Sequence, residues 1–407
     1  MFLLIVKWNM EKAVNQDISK SLVLLMAIAC GLCTGSNYYN QPLLNSIAQD
    51  FNVSLSNTAY LSFTAQIMYT FGLLLLVPLG DMFEKKKAIV TFMSIAAMGQ
   101  LICAFSPNIQ IMFLGTALSS LFSIAAQILI PYSTSLGDPK KSAQVVGTLM
   151  SGLLMGILLA RTVAGFVSSV MSWHAIYYLS GFMLISAAIM IGKNLPISRS
   201  PKIVYSDILK SMYRLLSTHR ILQKRAILGS LNFSAVSITF TTMALLLSDQ
   251  PFHYSDFQIG LVGLVGITGV LMGPWVGKQY QKGNETSLTR YSLYLLLLSW
   301  MVLSFAKLSL LVYLAGLVIL YISLTILHIL NQNVVYAIDP SARSRLNSIY
   351  MTIYFMGAAM GSFIAAWIWS DYGWKGCCIF GIAMSCFVIL VNQLWKVETP
   401  QPMTQQV

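Results

Sequence analysis

The chain has 407 residues, of which 57% are hydrophobic and only 9% are charged. Soluble globular domains carry a charged share of roughly a quarter, so this composition excludes a soluble globule and indicates a polytopic membrane protein. The formal net charge of +12 would suggest a nucleic-acid partner in a soluble chain. In a membrane protein basic residues first report topology, and we expect no nucleic-acid partner.

The first 19 residues are predicted to form a cytoplasmic N-terminus. Their apolar run is too short for the core of a signal peptide, so we expect no cleavage. Met10, followed by Glu11 and Lys12, would also make a natural start. The six cysteines of the chain lie in apolar runs without His or acidic residues at ligand spacing, which is typical of small hydrophobes. We therefore expect no metal site and no cofactor.

Breaks that contain charged residues or Pro, Gly and Asn divide the chain into apolar segments. About twelve segments approach the length of roughly 20 residues that a helix needs to cross a bilayer. They lie near 20–43, 57–79, 88–105, 109–134, 144–170, 175–194, 223–248, 257–276, 289–306, 310–334, 346–369 and 375–395. We predict an all-α protein with twelve transmembrane helices.

Basic residues are distributed unevenly around these segments. Of the 25 lysines and arginines, all except Arg161, Lys307 and Lys375 fall in the termini and connections that would share one side of the membrane. Because short loops rich in Lys and Arg remain in the cytoplasm, this distribution predicts a multi-pass protein with both termini cytoplasmic. Its first partner is then the lipid bilayer.

The longest break, 195–222, carries most of that charge and separates two halves of about six spans each. We predict a six-helix bundle over 20–194, a cytoplasmic linker over 195–222, a second bundle over 223–395 and a cytoplasmic tail over 396–407. Within the linker, residues 207–220 alternate apolar and basic residues at helical spacing. This pattern favours an amphipathic helix on the inner membrane face, or a simple tether between the bundles.

The two halves carry similar patterns of small residues. Gly152 and Gly156 in the fifth segment have counterparts in Gly357 and Gly361 in the eleventh. Small residues four apart let membrane helices pack closely. Weak internal symmetry between six-span halves is typical of a secondary transporter whose substrate site lies between them. The predicted fold is therefore two pseudo-symmetric six-helix bundles.

Arg161 lies inside an apolar segment, GTLMSGLLMGILLARTVAG, that is long enough to cross the bilayer. A charge near the bilayer centre costs at least about 2.5 kcal/mol on insertion scales, so such residues face a bundle interior or a water-filled cavity. Arg161 is the first candidate for the substrate cavity. Since no acid is predicted in a span, the cavity should be net positive and favour anionic or neutral polar substrates.

Other polar side chains in the segments are further candidates for the cavity. Polar groups are expensive in lipid and favour the interior, where they either join helices or contact a substrate. They are Asn37, Tyr38, Gln41, Gln66, Tyr69, Gln127, Asn232, Asn331, Gln332, Tyr350 and Tyr354.

His328 is the candidate for proton coupling. All 13 acidic residues are predicted to lie in loops or termini, so no carboxylate is expected within a span. A histidine titrates near physiological pH, and His328 is the only one predicted to lie within the membrane. The alternative is that His328 only bonds a neighbouring helix.

The loop after the second segment, VPLGDMFEKKKAIV, resembles the signature loop of the major facilitator superfamily. Asp81, Lys85 and Lys86 stand where that pattern has its acid and its paired bases, while Val77, Met82 and Glu84 depart from it. The resemblance implies that Gly80, Asp81, Lys85 and Lys86 form a gating loop that closes the cytoplasmic side against the start of the eleventh span. The alternative is a cluster of charges that only sets topology.

The resemblance extends over nearly the whole chain. The strings SNYYNQPLL, SGLLMGILLARTVAG, ARSRLNSIYMTIYFMGAAMGS and DYGWKG are similar to a bacterial subgroup grouped with arabinose-efflux and drug-efflux permeases. This resemblance implies a transporter of the bacterial inner membrane that exports a small organic molecule, with a proton as the coupling ion.

The sequence leaves two alternatives to an exporter. The nearer one is an uptake symporter or facilitator of the same fold, which nothing in the spacing excludes. The more distant one is a membrane-embedded enzyme, which would need paired carboxylates, HExxH-type ligands or a Ser/His constellation near the bilayer. The sequence contains none of these, so we predict that the protein is not an enzyme.

Overall fold

The computed structural model describes residues 19–133, 136, 139–197, 204–339 and 342–397. All regular secondary structure in these ranges is helical. In the first half the helices are α1 (Lys20–Gly35), α2 (Asn40–Asp50), α3 (Leu55–Phe71), α4 (Leu79–Met82), α5 (Lys85–Ala104), α6 (Ile109–Phe122), α7 (Ala125–Ser133), α8 (Pro139–Val170) and α9 (Trp173–Asn194). A π-helical turn, Gly72–Leu76, continues α3.

The second half is built in the same way. Its helices are α10 (Tyr205–Thr218), α11 (Arg220–Ser248), α12 (Asp256–Val262), α13 (Ile267–Gln281), α14 (Glu285–Leu303), α15 (Leu310–Ile338) and α16 (Arg343–Leu394). A single 3₁₀ turn, Gly263–Gly266, joins α12 to α13. The amphipathic helix predicted for 207–220 is present as α10, which buries Ile208 and Met212.

Within the described ranges, nine helices are long and apolar enough to cross a membrane, and ten if the bent pair α1 and α2 is one span. The helix α16 is two helices in sequence, because Gly373 interrupts it with φ 57° and ψ −151°. Counting these separately, and adding α14, places a helix on each of the twelve predicted segments. The prediction of an all-α membrane fold is confirmed.

The first span differs from its prediction. It does not end near residue 43 but breaks at 36–39, bends by 45° and continues as α2 to Asp50. Pro42 explains the break, because it has no N–H to donate to the carbonyl four residues earlier and is tolerated only in the first turn of a helix. The break places Asn37 and Tyr38 inside the span, in hydrogen-bonded turns between the two helices.

Glycines bring equivalent helices into close contact in the two halves. Gly152 and Gly156 of α8 lie against the backbone of α1, and Gly357 and Gly361 of α16 lie against the backbone of α11. At each of the four positions a Cβ atom would overlap a backbone atom of the neighbouring helix. The halves contact each other where α3 packs on α16, α8 on α12 and α2 on α11.

Candidate functional site

Arg161 is buried at the contact between the two halves, with a residue exposure of 2%. Its Nε atom donates to Oε1 of Gln41 at 2.6 Å. Its guanidinium carbon lies 5.0 Å from the ring centroid of Tyr38 and 4.5 Å from that of Phe240. The Nη2 atom has no hydrogen-bond partner among the described residues. The guanidinium is therefore held by one amide and two aromatic faces.

The fold fixes this guanidinium from both sides. In the first half, the break between α1 and α2 carries Tyr38 and Gln41 to the α8 face that bears Arg161. In the second half, Gly263 lies against the aliphatic stem of Arg161, where an added Cβ would stand 3.0 Å from Cδ. Within the described ranges no carboxylate forms an ion pair with Arg161. The charge is thus buried without a negative partner from the part of the chain that the structure describes.

His328 of α15 lies elsewhere in the second half, against two tyrosines of α16. Its Nδ1 atom lies 3.2 Å from the hydroxyl of Tyr350, and its ring centroid lies 4.6 Å from that of Tyr354. His328 is half-buried and Tyr350 is fully buried. The hydrogen bond between helices that the sequence left open as an alternative role is therefore present.

A series of aromatic rings connects Arg161 with His328. Phe240, which faces Arg161, lies 6.4 Å from Phe233, and Phe233 stacks on Tyr354 at 4.2 Å with an interplanar angle of 19°. Tyr354 in turn contacts His328. Arg161 and His328 do not touch, but they lie at opposite ends of one continuous wall, which we call the aromatic series (Phe240, Phe233 and Tyr354).

Gln66 of α3 joins helices from both halves. Its Nε2 atom donates to the hydroxyl of Ser362 in α16 at 2.8 Å, and its Oε1 atom accepts from Ser237 in α11 at 3.4 Å. One turn further along α3, Tyr69 contacts Phe355 of α16 with ring centroids 4.8 Å apart. The predicted pair on α3 therefore lies at the contact between the halves.

Other predicted cavity residues remain within one half. Gln127 donates to the hydroxyl of Tyr69 at 3.2 Å, and Asn37 donates to Ser123 at 2.8 Å. In the second half, Asn331 accepts from Arg225, and Gln332 lies 3.9 Å from the sulfur of Met351.

Asn232 of α11 is fully buried. Neither of its amide atoms finds a hydrogen-bond partner in the part of the chain that the structure describes. An unpaired buried amide costs roughly 1–3 kcal/mol. The amide of Asn232 is therefore without a hydrogen-bond partner among the described residues. No described hydrogen bond connects Asn232 to Arg161 or His328.

Two buried acids show that the predicted placement of all acids in loops or termini is wrong. Glu285, the first residue of α14, is buried and forms an ion pair with Arg225 of α11. Asp256, the first residue of α12, accepts hydrogen bonds through one oxygen, Oδ2, from Ser46 at 2.5 Å and from Ser168 at 2.8 Å. Both acids stand at the starts of helices, where the sequence alone reads as a loop.

The residues of the predicted gating loop lie in α4 and at the start of α5. Gly80 packs against Ile128 of α7, and Lys85 and Lys86 begin α5. The side chain of Asp81 lies outside the described residues. The start of α16 is close to this loop, since the hydroxyl of Ser348 donates to the carbonyl of Leu73 at 3.2 Å.

This arrangement of paired halves is shared with a known family. The model of the Major Facilitator Superfamily matches residues 26–338. The chain is 44% identical, over 378 residues, to the uncharacterized transporter YgaY of Escherichia coli O157:H7, which covers 93% of this chain and 96% of that protein. The chain belongs to the major facilitator superfamily. The family predicted from the sequence is confirmed. The protein, called this facilitator below after its family, is a multi-pass membrane transporter.

More distant relatives agree with the fold. The inner membrane transport protein YnfM of Escherichia coli K12 is 24% identical over 374 residues, which cover 91% of this chain and 89% of that protein. The solved structure of the nucleoside transporter NupG matches 92% of the chain and 98% of its own with a TM-score of 0.75 at 13% identity. The human organic anion transporter MFSD10 matches with a TM-score of 0.68, covering 92% of this chain and 100% of its own, also at 13% identity.

Proposed function

We propose that this facilitator is a secondary active transporter that exports a small organic molecule, anionic or neutral and polar, from a bacterial cell across the inner membrane. The observation that carries the proposal is Arg161, a cation buried at the contact between the halves with no negative partner from the described residues. Charges in such positions are retained for function, because they are costly in a merely structural role. A substrate that supplies the missing negative or polar group would offset this cost.

The basic residues support an orientation with both termini in the cytoplasm. In that orientation the contact between α8 and α12 lies at the outer end of the molecule. The two bundles, 20–194 and 223–395, are joined by the linker, 195–222. Their movement against each other would expose Arg161 alternately to the two sides of the membrane. Gln66, Tyr69 and the gating loop lie along the surfaces that would move.

His328 is our candidate for coupling transport to a proton gradient. Its contact with the Tyr350 hydroxyl, at the end of the aromatic series opposite Arg161, supports this role. Antiport then requires that proton binding at one end and substrate binding at the other do not favour the same conformation.

The direction of transport is tested in inverted membrane vesicles. With the wild-type protein, a vesicle lumen more acidic than the external medium should drive accumulation of the substrate in that lumen. Accumulation in right-side-out vesicles under a gradient of the physiological sign would instead identify an uptake symporter. Chemical change of the substrate would identify an enzyme.

His328→Gln should abolish the dependence of flux on the pH gradient while exchange of labelled for unlabelled substrate persists. The reason is that glutamine keeps a hydrogen bond to Tyr350 but cannot titrate. His219→Gln, in the turn between α10 and α11, is the matched control and should leave the dependence intact. Flux that still follows the pH gradient in His328→Gln would reject this residue as the coupling group.

A further inference from the structure

The chemistry around Arg161 defines the substrate more narrowly than its charge alone. A guanidinium offers five N–H donors in a planar fork. The structure uses Nε for Gln41 and leaves Nη2 without a partner among the described residues. Nη2 is shielded from solvent in this conformation, so its N–H groups become available to a carboxylate when the two halves part.

The surfaces beside that edge are aromatic on both sides of the contact. Tyr38 belongs to the first half and Phe240 to the second, and both place a ring beside the guanidinium. Tyr321 lies next to Phe240, with ring centroids 5.8 Å apart. Flat apolar groups thus surround a single point of positive charge.

The wall continues away from Arg161 with the same character. Phe233 and Tyr354 stack beyond Phe240. A sugar or another polyol would need many hydrogen-bonding groups along this wall, whereas rings favour stacking with another ring. A small inorganic anion would make no stacking contact with these rings. An organic cation would be repelled by Arg161.

We propose that this facilitator binds planar aromatic carboxylates, with the carboxylate on the free edge of Arg161 and the ring against Phe240 and Tyr38. This inference rests on the transport function proposed above and names the substrate class of that same site. Gln41 has a specific part in it. Its amide fixes the plane of the guanidinium without neutralising the charge, so the positive charge is kept for the ligand.

The test is a binding measurement on the purified full-length protein in detergent. Isothermal titration calorimetry with 2-naphthoate is compared with two probes of similar shape: 2-naphthamide, which lacks the charge, and decahydro-2-naphthoate, which keeps the charge but loses the flat ring. We expect 2-naphthamide to bind at least about tenfold more weakly, since hydrogen bonds between two charged groups are roughly twice as strong as those between neutral groups. Decahydro-2-naphthoate should bind about two- to tenfold more weakly, because it cannot stack.

Two variants test the residues without relying on one mutation. Gln41→Glu places a carboxylate where the amide contacts Nε, so it should neutralise Arg161 and weaken 2-naphthoate binding at least about tenfold while keeping the fold. Arg161→Met should weaken binding by at least as much. Lys307→Met, which removes a cation at the far side of the second half, should leave the affinity unchanged.

Equal affinity for 2-naphthoate and 2-naphthamide, or unchanged affinity in Gln41→Glu, would overturn the carboxylate part of the inference. Equal or tighter binding of decahydro-2-naphthoate would overturn the aromatic part. The transport proposal is judged separately, by flux in proteoliposomes. Flux of another solute without any binding of 2-naphthoate would reject the substrate class alone, whereas specific binding of 2-naphthoate without its transport would reject the transport proposal and leave the site.

Discussion

Arg161 and Arg225 are both buried arginines, but only Arg225 has an acid beside it. Arg225 forms an ion pair with Glu285, and its Nη1 atom also donates to Thr289 at 3.1 Å. These contacts join α11 to α14 within the second half. The contrast separates a charge that the protein neutralises itself from one that no described acid neutralises.

Glu285→Gln should lower the thermal stability of the protein in detergent. Removing one partner of a buried ion pair leaves the other charge uncompensated, which typically costs about 3–5 kcal/mol. The double variant Arg225→Met with Glu285→Leu should recover most of the loss, because it buries no charge. Asp371→Asn is the matched control, since Asp371 is an exposed acid of α16 and its substitution should change stability little. A double variant as unstable as Glu285→Gln would contradict the prediction.

The sequence predicted that Arg161 is a charge within a span, but it did not predict the ion pair between Arg225 and Glu285. Arg161 stands out because it interrupts an apolar segment, whereas Arg225 and Glu285 stand at the ends of segments, where the positive-inside rule already accounts for a charge. Their partnership joins residues that are 60 positions apart. Asp256 was missed for the same reason, because its two serine donors come from the other half of the chain.

At the scale of the helix, glycine positions on α8 divide into tight and open ones. The Gly152 and Gly156 positions lie against the backbone of α1, whereas a Cβ added at Gly147 meets no described atom within 4 Å. The sequence predicted the close packing, because small residues four apart are typical of it. It could not distinguish Gly147 from the other two, since that difference depends on the distance between α8 and its neighbours at each turn.

Gly156→Ala should destabilise the first half, and Gly147→Ala should not. The Cβ of the first variant would overlap the backbone of Gly31, which forces α1 and α8 apart at a typical cost of about 1–3 kcal/mol. The second variant removes a helix-weakening glycine from open space and changes stability by less than about 1 kcal/mol. Thermal unfolding in detergent compares the two. Equal loss in both variants would show that helix propensity, and not the packing on α1, sets the effect.

At the scale of the whole molecule, the two halves meet tightly at the C-terminal end of α8, whereas a Cβ added at Gly147, towards its N-terminal end, meets no described atom within 4 Å. The twelve-span pattern and the weak repeat had already indicated two similar halves. Near Arg161, the Asp256 carboxylate accepts from Ser46 of α2 and Ser168 of α8. About 21 Å away, at a rise of 1.5 Å per residue, Gly147 of α8 and Gly277 of α13 both face open space among the described residues. Hydropathy patterns could not predict this conformation, because the same spans fit every conformation of the transport cycle.

A disulfide at the tight end should therefore stop transport, and its reduction should restore it. In a protein with Cys386→Ser, which removes the exposed native cysteine, the pair Ser168→Cys and Asp256→Cys should oxidise readily and lock α8 to α12. The pair Gly147→Cys and Gly277→Cys is the control, because it should form no disulfide while the tight end is closed. Alternating access further requires that the control pair approaches only when the locked end opens. Equal flux in the oxidised and reduced Ser168→Cys, Asp256→Cys protein would mean that this contact persists throughout transport, and the moving surface would then have to lie elsewhere between the halves.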